Sequence, residues 1–309
     1  MAAKILIGPS SFAEADKTPL EMLLTAGYTV VENPYKRKMT KEEILNILQK
    51  DVVGILAGLE PLDREVLSLS HLKCISRVGA GMTNVDIETA KELNIAVFNT
   101  PYGPINSVAE LVIGAMISLF RWIPQSYEAL RERKWARKIG CQLEGKIVAI
   151  IGFGRIGRRV AELLMPFRVN VIVVDPYLGK SDILPFPLMS MEDALSQADI
   201  ITIHASGDKC LFDEKVFASM KQGVFILNAA RGNIVSENAL IKALDKGIVT
   251  GAWLDTFEKE PYDGPLCNYE NVIMTPHIGS YTAECRLQME TEAVTNLINY
   301  LKMAGERKL

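Results

Sequence analysis

The chain has 309 residues, 49% of them hydrophobic and 23% charged, with a formal net charge of −3. That is the balance of an ordinary globular protein with room for two cores, and with no surplus of Lys and Arg to neutralise phosphates, nucleic acid is not expected as a partner. The five cysteines, Cys74, Cys141, Cys210, Cys267 and Cys285, are odd in number and never form a C-x-x-C pair, which argues against a disulfide framework or a zinc site and fits a reducing cytoplasm.

From the N-terminus, the run Ile5-Leu6-Ile7-Gly8-Pro9 is too short for a signal-peptide core, so no leader is expected; it reads as a strand. Helices over residues 19–26 and 40–49 and a strand over 52–56 follow. The alternation continues through a segment over 61–69, a strand over 74–78, a helix near 87–93 and a strand over 96–98. Nearly continuous apolar strands alternating with helices predict a parallel sheet covered on both faces. Residues 106–122 predict a long apolar helix. Its longest apolar stretch, 111–120, falls short of the roughly 20 residues that cross a bilayer, so no membrane span is expected. The basic stretch 131–138 reads as a solvated helix and loop. A second series then begins, with strand candidates at 147–151, 171–174, 200–203, 224–227 and 272–274, and a closing helix over 282–303. The architecture expected is α/β with two doubly wound parallel-sheet domains, the smaller over residues 1–98 and the larger over 99–281.

The second series opens on a strand that runs into Gly152-Phe153-Gly154-Arg155-Ile156-Gly157, followed by a helical run. In that context the glycines have separate tasks. Gly152 permits the tight turn, Gly154 lets a pyrophosphate approach the backbone, and Gly157 lets helix and strand pack closely, with the helix N-terminus facing the negative charge. The next strand ends at Asp175, 18 residues beyond Gly157 (175 − 157), the place of an acid that binds an adenosine ribose. Its charge would repel a 2′-phosphate, and Pro176-Tyr177 follows it rather than an Arg, so NAD is expected rather than NADP.

Three further segments place ionisable residues just after an apolar strand: Asn228-Ala229-Ala230-Arg231-Gly232, the stretch from Leu254-Asp255 to Glu260-Pro261, and Thr275-Pro276-His277-Ile278-Gly279-Ser280. Ligands of open parallel sheets bind beyond the carboxyl ends of the strands, so these loops are expected to meet at the cofactor. Reduction of a 2-oxo acid needs a cation for the carboxylate, a proton donor for the developing alkoxide, and a partner that keeps the donor protonated. Arg231, His277 and Glu260 are of those types. Each also has a structural alternative: an ion-pair former, a capped or buried histidine, and a solvated loop acid. No metal site is expected, because His71, His204 and His277 form no H-x-x-x-H or H-E-x-x-H pattern.

Together with Ser76-Arg77-Val78-Gly79-Ala80-Gly81-Met82-Thr83-Asn84-Val85-Asp86 and Ser107-Val108-Ala109-Glu110, these segments resemble the D-isomer-specific 2-hydroxyacid dehydrogenase family over nearly the whole chain. The likeness is greatest to its members that act on 3-phosphoglycerate. The resemblance implies a Rossmann NAD-binding domain and a smaller flavodoxin-like substrate domain to which residues 282–309 return. It implies Arg231, Glu260 and His277 as the catalytic trio. Gly152, Gly154, Arg155, Ile156, Gly157, Asp175, His204, Ala205, Ala229, Ala230, Asp255 and Gly279 would contact NAD, with Asp255 on the nicotinamide carboxamide. The amides of Val78, Gly79, Ala80 and Gly81 would hold the substrate carboxylate, with Arg77 towards a phosphate. A cytoplasmic homodimer joined through the NAD-binding domains is expected.

Two departures from the family pattern bear on function. After His204 the segment Ala205-Ser206-Gly207-Asp208-Lys209-Cys210 is shortened, which puts the cofactor contact of Ala205 in question and leaves His204 open to a packing role. A second phosphate-binding arginine is missing, because Leu56-Ala57-Gly58-Leu59 occupies its stretch. The substrate expected is therefore 3-phosphoglycerate/phosphohydroxypyruvate, with glyoxylate, hydroxypyruvate or another small 2-oxo acid as the alternative. A reading from another class is an NADH-sensing, corepressor-like binding protein. Control through a C-terminal regulatory domain is not expected, since the chain stops at Leu309.

Overall fold

The computed structural model describes residues 2–48, 51–207 and 209–306; Gln49, the expected end of the second helix, and Asp208 lie outside them. It divides into two compact units, Met1–Pro104 with Ser280–Leu309, and Ile105–Gly279.

The first unit runs β1 (Lys4–Ile7), α1 (Thr18–Thr25), β2 (Thr29–Glu32), α2 (Lys41–Leu48), β3 (Val52–Ala57), α3 (Arg64–Ser68), β4 (Cys74–Arg77), α4 (Ile87–Glu92) and β5 (Ala96–Asn99). All pairings are parallel, in the order β2-β1-β3-β4-β5. The turns into α3 and α4 are set by aspartates. Asp63 accepts from Val66 N at 3.0 Å and Asp86 from Thr89 N at 2.9 Å, each satisfying an amide at the helix start. The strand β2 is absent from the sequence expectation because Thr-Val-Val-Glu is an edge strand with no buried residue, and so carries no continuous apolar run.

The second unit begins in α5 (Pro104–Arg121) and α6 (Ile123–Arg131). It continues through β6 (Ile147–Ile151), α7 (Arg155–Leu164), β7 (Asn170–Val174), α8 (Met191–Gln197), β8 (Ile200–Ile203), α9 (Glu214–Ala218), β9 (Val224–Asn228), α10 (Glu237–Asp245), β10 (Val249–Leu254) and β11 (Val272–Met274). Its six strands are parallel in the order β11-β10-β9-β8-β6-β7. The strand β10 is missing from the sequence candidates because Gly251-Ala252 interrupts its β-branched pattern. Trp122, in the left-handed conformation with φ 54°, separates α5 from α6, which the sequence expectation did not resolve. The helix α5 is also longer than its apolar stretch 111–120. With a mean hydropathy of 1.3 it is long and apolar enough to cross a membrane by length and composition, yet half of it is buried. Val112, Met116, Leu119 and Phe120 pack there with Val148, Ile150 and Trp253 of the second core.

The last helix, α11 (Ala283–Glu306), belongs to the first unit, as the family resemblance implies. Its Val294, Leu297 and Ile298 share a core with Ile5, Leu23 and Leu56. Gly54 in β3 makes room for it, since a Cβ there would lie 3.2 Å from a Leu297 methyl. Residues 99–104 stay with the first unit rather than opening the second. Thr100 N donates to Gly79 O at 3.0 Å, its Oγ1 accepts from Gly79 N at 2.7 Å, and Gly103 lies against Met289. Ser280 and Tyr281 join it too, where the Tyr281 and Ser11 hydroxyls meet at 3.3 Å.

Both sheets share one topological feature. The first strand of each series lies between the second and the third, so the winding reverses beside β1 in one unit and beside β6 in the other. Crevices at the carboxyl ends of strands at such switch points are where open α/β sheets take ligands.

Candidate active site

At the switch point of the second unit, Gly152 follows β6 with φ 91°, a conformation that favours glycine. A Cβ on Gly152 would also lie 2.6 Å from Ala205 N, so the turn can sit directly on the chain leaving β8. Gly154 caps α7 with no side chain and open space around it, leaving the first helical amides available to an anion. Gly157 packs against the carbonyl of Gly152, where a Cβ would collide. Each glycine thus has the surroundings its expected task requires. Arg155 and Ile156 occupy the first turn of α7.

Asp175, after β7, turns its carboxylate to this loop: Oδ2 accepts from Phe153 N at 2.9 Å and Oδ1 from Tyr177 N at 3.0 Å. It therefore orders the glycine turn and retains acceptor capacity for ribose hydroxyls. Ala205 lies against the same turn, and His204, at the end of β8, shares a hydrogen bond with the Thr202 hydroxyl at 2.9 Å. Burial pushes the His204 imidazole down to about 4, so it is neutral at physiological pH. The unfolded chain binds this proton below about 6.5 and the folded chain only near 4. Stability is therefore expected to fall as pH drops from about 6.5 towards 4, and His204→Gln to flatten that slope in urea titrations across the range.

The three loops beyond β9, β10 and β11 are built around two buried polar residues. Asn228, 1% exposed, accepts from Ala230 N at 3.0 Å and donates to Arg231 O at 2.9 Å, fixing the turn Ala229-Ala230-Arg231. Arg231 is half-buried and donates from a guanidinium nitrogen to Ala230 O at 2.7 Å. The next residue, Gly232, lies where a Cβ would overlap the Phe257–Glu258 peptide, so the arginine loop closes onto the loop that carries Glu260. Phe257 N in turn donates to Glu260 Oε1 at 3.0 Å, and Phe257 stacks on Tyr262 with ring centroids 4.2 Å apart.

The other Glu260 oxygen meets His277 Nδ1 at 3.0 Å. His277 is held in the left-handed region, φ 55°, a conformation uncommon outside glycine and one the surrounding loop must enforce. Asp255, 2% exposed, does so. Its Oδ1 accepts from the Thr275 hydroxyl at 2.6 Å and from Ile278 N at 2.9 Å, and its Oδ2 from Gly279 N at 2.8 Å. Trp253 Nε1 donates to Thr275 Oγ1 at 3.1 Å, and Ser107 Oγ to Gly279 O at 2.7 Å. Of the residues that brace these loops, Asn228 at the arginine turn and Trp253 and Thr275 at the histidine loop were given no role from sequence, because nothing local marks a buried polar residue as a loop brace.

In the first unit, β4 leads into Arg77-Val78-Gly79-Ala80-Gly81. Val78 N donates to Ala57 O at 2.9 Å and Gly79 N to Thr100 Oγ1. Those two amides are committed within the unit, which narrows the expected carboxylate grip to Ala80 and Gly81. Gly79 has φ 137° and leaves room for the Arg77 guanidinium, which turns back to donate to Val78 O. Arg77 is buried, and the sequence reading missed its neighbour Glu60, 1% exposed, which accepts from Gly58 N at 2.7 Å. Burial pushes the Glu60 carboxyl up, while hydrogen bonds from its own amide and that of Gly58, then the charges of Arg77 and Lys38, pull it down.

A parallel sheet with an open glycine turn at its switch point and an acid after the second strand is the architecture of a dinucleotide-binding fold. Residues 113–279 match the D-isomer specific 2-hydroxyacid dehydrogenase, NAD binding domain. The chain belongs to that family, and its second unit is the family's NAD-binding domain. It is 36% identical over 282 residues to D-3-phosphoglycerate dehydrogenase of Archaeoglobus fulgidus, covering 88% of this chain and 54% of that protein. The chain thus spans about half the length of that relative. It is 32% identical over 296 residues to hydroxypyruvate reductase of Thermotoga maritima, covering 93% and 95%. It also resembles the NAD+-bound structure of 3-phosphoglycerate dehydrogenase from Entamoeba histolytica, with a TM-score of 0.82, 26% identity, and 98% and 96% of the two chains covered.

Proposed function

We propose that the chain is an NAD-dependent oxidoreductase that interconverts a three-carbon, glycerate-type D-2-hydroxy acid and its 2-oxo acid. The observation that carries this reading is the His277–Glu260 pair at 3.0 Å on a loop closed against that of Arg231. NAD supplies or accepts the hydride. In the direction of reduction, Arg231 binds the acid's carboxylate with a fork that keeps its charge. His277 gives its proton to the oxygen that becomes the hydroxyl, and Glu260, on Nδ1, stabilises the protonated ring and holds its orientation. In oxidation the same histidine takes the hydroxyl proton. The contacts of the glycine turn, Asp175, His204, Ala205, Ala229, Ala230 and Asp255 with NAD are part of the proposal. They agree with the open space at Gly154 and the acceptor capacity of Asp175.

Two acids fit the relatives: phosphohydroxypyruvate, expected from the sequence, and hydroxypyruvate. Following NADH absorbance with both, and with glyoxylate and pyruvate, tests the reading. Saturable oxidation with one of the three-carbon acids supports it. NADH binding without turnover of any of them would instead favour a nucleotide-sensing binding protein.

A homodimer joined through the NAD-binding unit is also proposed. Ile123, Tyr127 and Leu130 on α6, with Trp135 and Ile139 beyond it, are large apolar residues exposed at 47%, 58%, 57%, 81% and 98%. Such a concentration marks an interaction surface. Sedimentation is expected to give a dimer for the wild type and a monomer for Trp135→Glu with Ile139→Asp; a monomeric wild type would refute it.

A further inference from the structure

We infer that Arg158 is a positioning residue for the cofactor: it ties the loop after Asp175 to the glycine turn, and so fixes the adenosine end of the NAD site relative to the pyrophosphate end. This rests on the reading above that the glycine turn and Asp175 contact NAD, and every contact in it lies within the second unit. The strand β7 is an edge of its sheet; the chain leaves it at Asp175 and later returns alongside it. Val173 N donates to Pro187 O at 2.9 Å and Met189 N to Val173 O at 2.9 Å, which closes the base of a loop over residues 175–187. Ile183 fastens the loop to the second core, whereas Tyr177, two residues beyond the acid, is 93% exposed. Its ring leaves an apolar face open to a base.

Arg158 follows Gly157 in α7 and makes two contacts. Its Nη1 donates to Asp182 O at 2.6 Å, on the loop, and its guanidinium carbon lies 4.8 Å from the centroid of the Phe153 ring. Phe153 stands between the first two glycines, is buried, and has the amide that donates to Asp175 Oδ2. Phe186, near the end of the loop, meets the same ring edge-on at 5.8 Å. The carbonyl that Arg158 takes is presented by a local turn: Gly179 N donates to Asp182 Oδ2 at 2.7 Å and Asp182 N to Gly179 O at 3.0 Å. One guanidinium therefore joins helix, glycine turn and loop. A loop anchored in this way is ordered before the cofactor arrives, whereas a loose one must be ordered at the expense of binding energy. The proposed catalytic residues stand on other loops, beyond β9, β10 and β11, so the effect falls on cofactor affinity rather than on chemistry.

The test is the Kd of ADP-ribose, which carries adenosine and pyrophosphate but no nicotinamide, measured by calorimetry for the wild type, Arg158→Met, Arg158→Lys and Asp175→Ala. Arg158→Met keeps a long stem and removes the donor; it is expected to weaken binding about tenfold, the factor that one charged hydrogen bond commands. Arg158→Lys, with a cationic donor restored, is expected to recover part of that loss. With NADH and an acid that the wild type turns over, Arg158→Met is expected to raise the KM for NADH by a similar factor and to leave kcat within about twofold. A merely structural role would lower the melting temperature and leave the Kd of the folded protein unchanged. That result, or an Arg158→Lys no better than Arg158→Met, overturns the inference and leaves the reading of Asp175 standing. Unchanged ADP-ribose binding in Asp175→Ala overturns that reading and the inference with it. Should Arg158→Met fail to fold, Asp182→Ala on the exposed loop decides. It removes the tie to Gly179 and is expected to weaken ADP-ribose as well; an unchanged Kd overturns the inference.

Discussion

His277→Ala is expected to lower kcat by about 100- to 10,000-fold while leaving NADH binding intact, the range typical of a lost general acid. The selectivity of the effect follows from position. His277 lies beyond β11 and bonds to Glu260, whereas the glycine turn is built by β6, Asp175 and the chain after β8. Removing the imidazole takes away the proton donor and leaves the turn's hydrogen bonds in place. NADH fluorescence titration and single-turnover kinetics separate the two quantities. If the variant loses NADH binding and turnover together, His277 holds structure rather than transferring a proton.

Asp255→Ala is expected to damage both stability and turnover. Three donors converge on this carboxylate: the Thr275 hydroxyl and the amides of Ile278 and Gly279. In a residue 2% exposed, their loss leaves buried donors unsatisfied. Each costs about 1–3 kcal/mol, so the total is on the order of 3–5 kcal/mol after relaxation. For a chain of this size that corresponds to a melting temperature lower by roughly 10 °C. At temperatures where the variant remains folded, the loop is no longer obliged to keep His277 at φ 55°, so kcat is expected to fall as well. Thermal denaturation beside kinetics checks both. A variant with unchanged melting and weakened NADH binding alone would make Asp255 a cofactor contact and nothing more.

The parts of this protein legible in its sequence are those whose physics is local. Gly152, Gly154 and Gly157 were legible as a strand–turn–helix because a positive φ, an open approach and a close packing contact are demands made at a fixed local spacing. Most strands showed as apolar runs because both faces of a parallel sheet are covered. The exceptions obey the same logic: β2 is an edge strand with no buried residue, and β10 is broken in pattern by Gly251.

The residue types of the proposed trio were also legible, and their loops were expected to meet, but the contacts between those loops were not. The sequence by itself determined that an arginine, a glutamate and a histidine each follow a strand. Only the adjacency of β9, β10 and β11 put Glu260 on His277 and laid Gly232 against Phe257. The tertiary structure alone decided the fate of the buried polar groups. Asp255 and Glu60 look in sequence like any loop acids, which are mostly solvated. Their environments arise from donors and charges around them: Thr275, Ile278 and Gly279 for one, Gly58 and the charge of Arg77 for the other. A carboxylate's environment is a sum over neighbours distant in sequence, so no local pattern carries it.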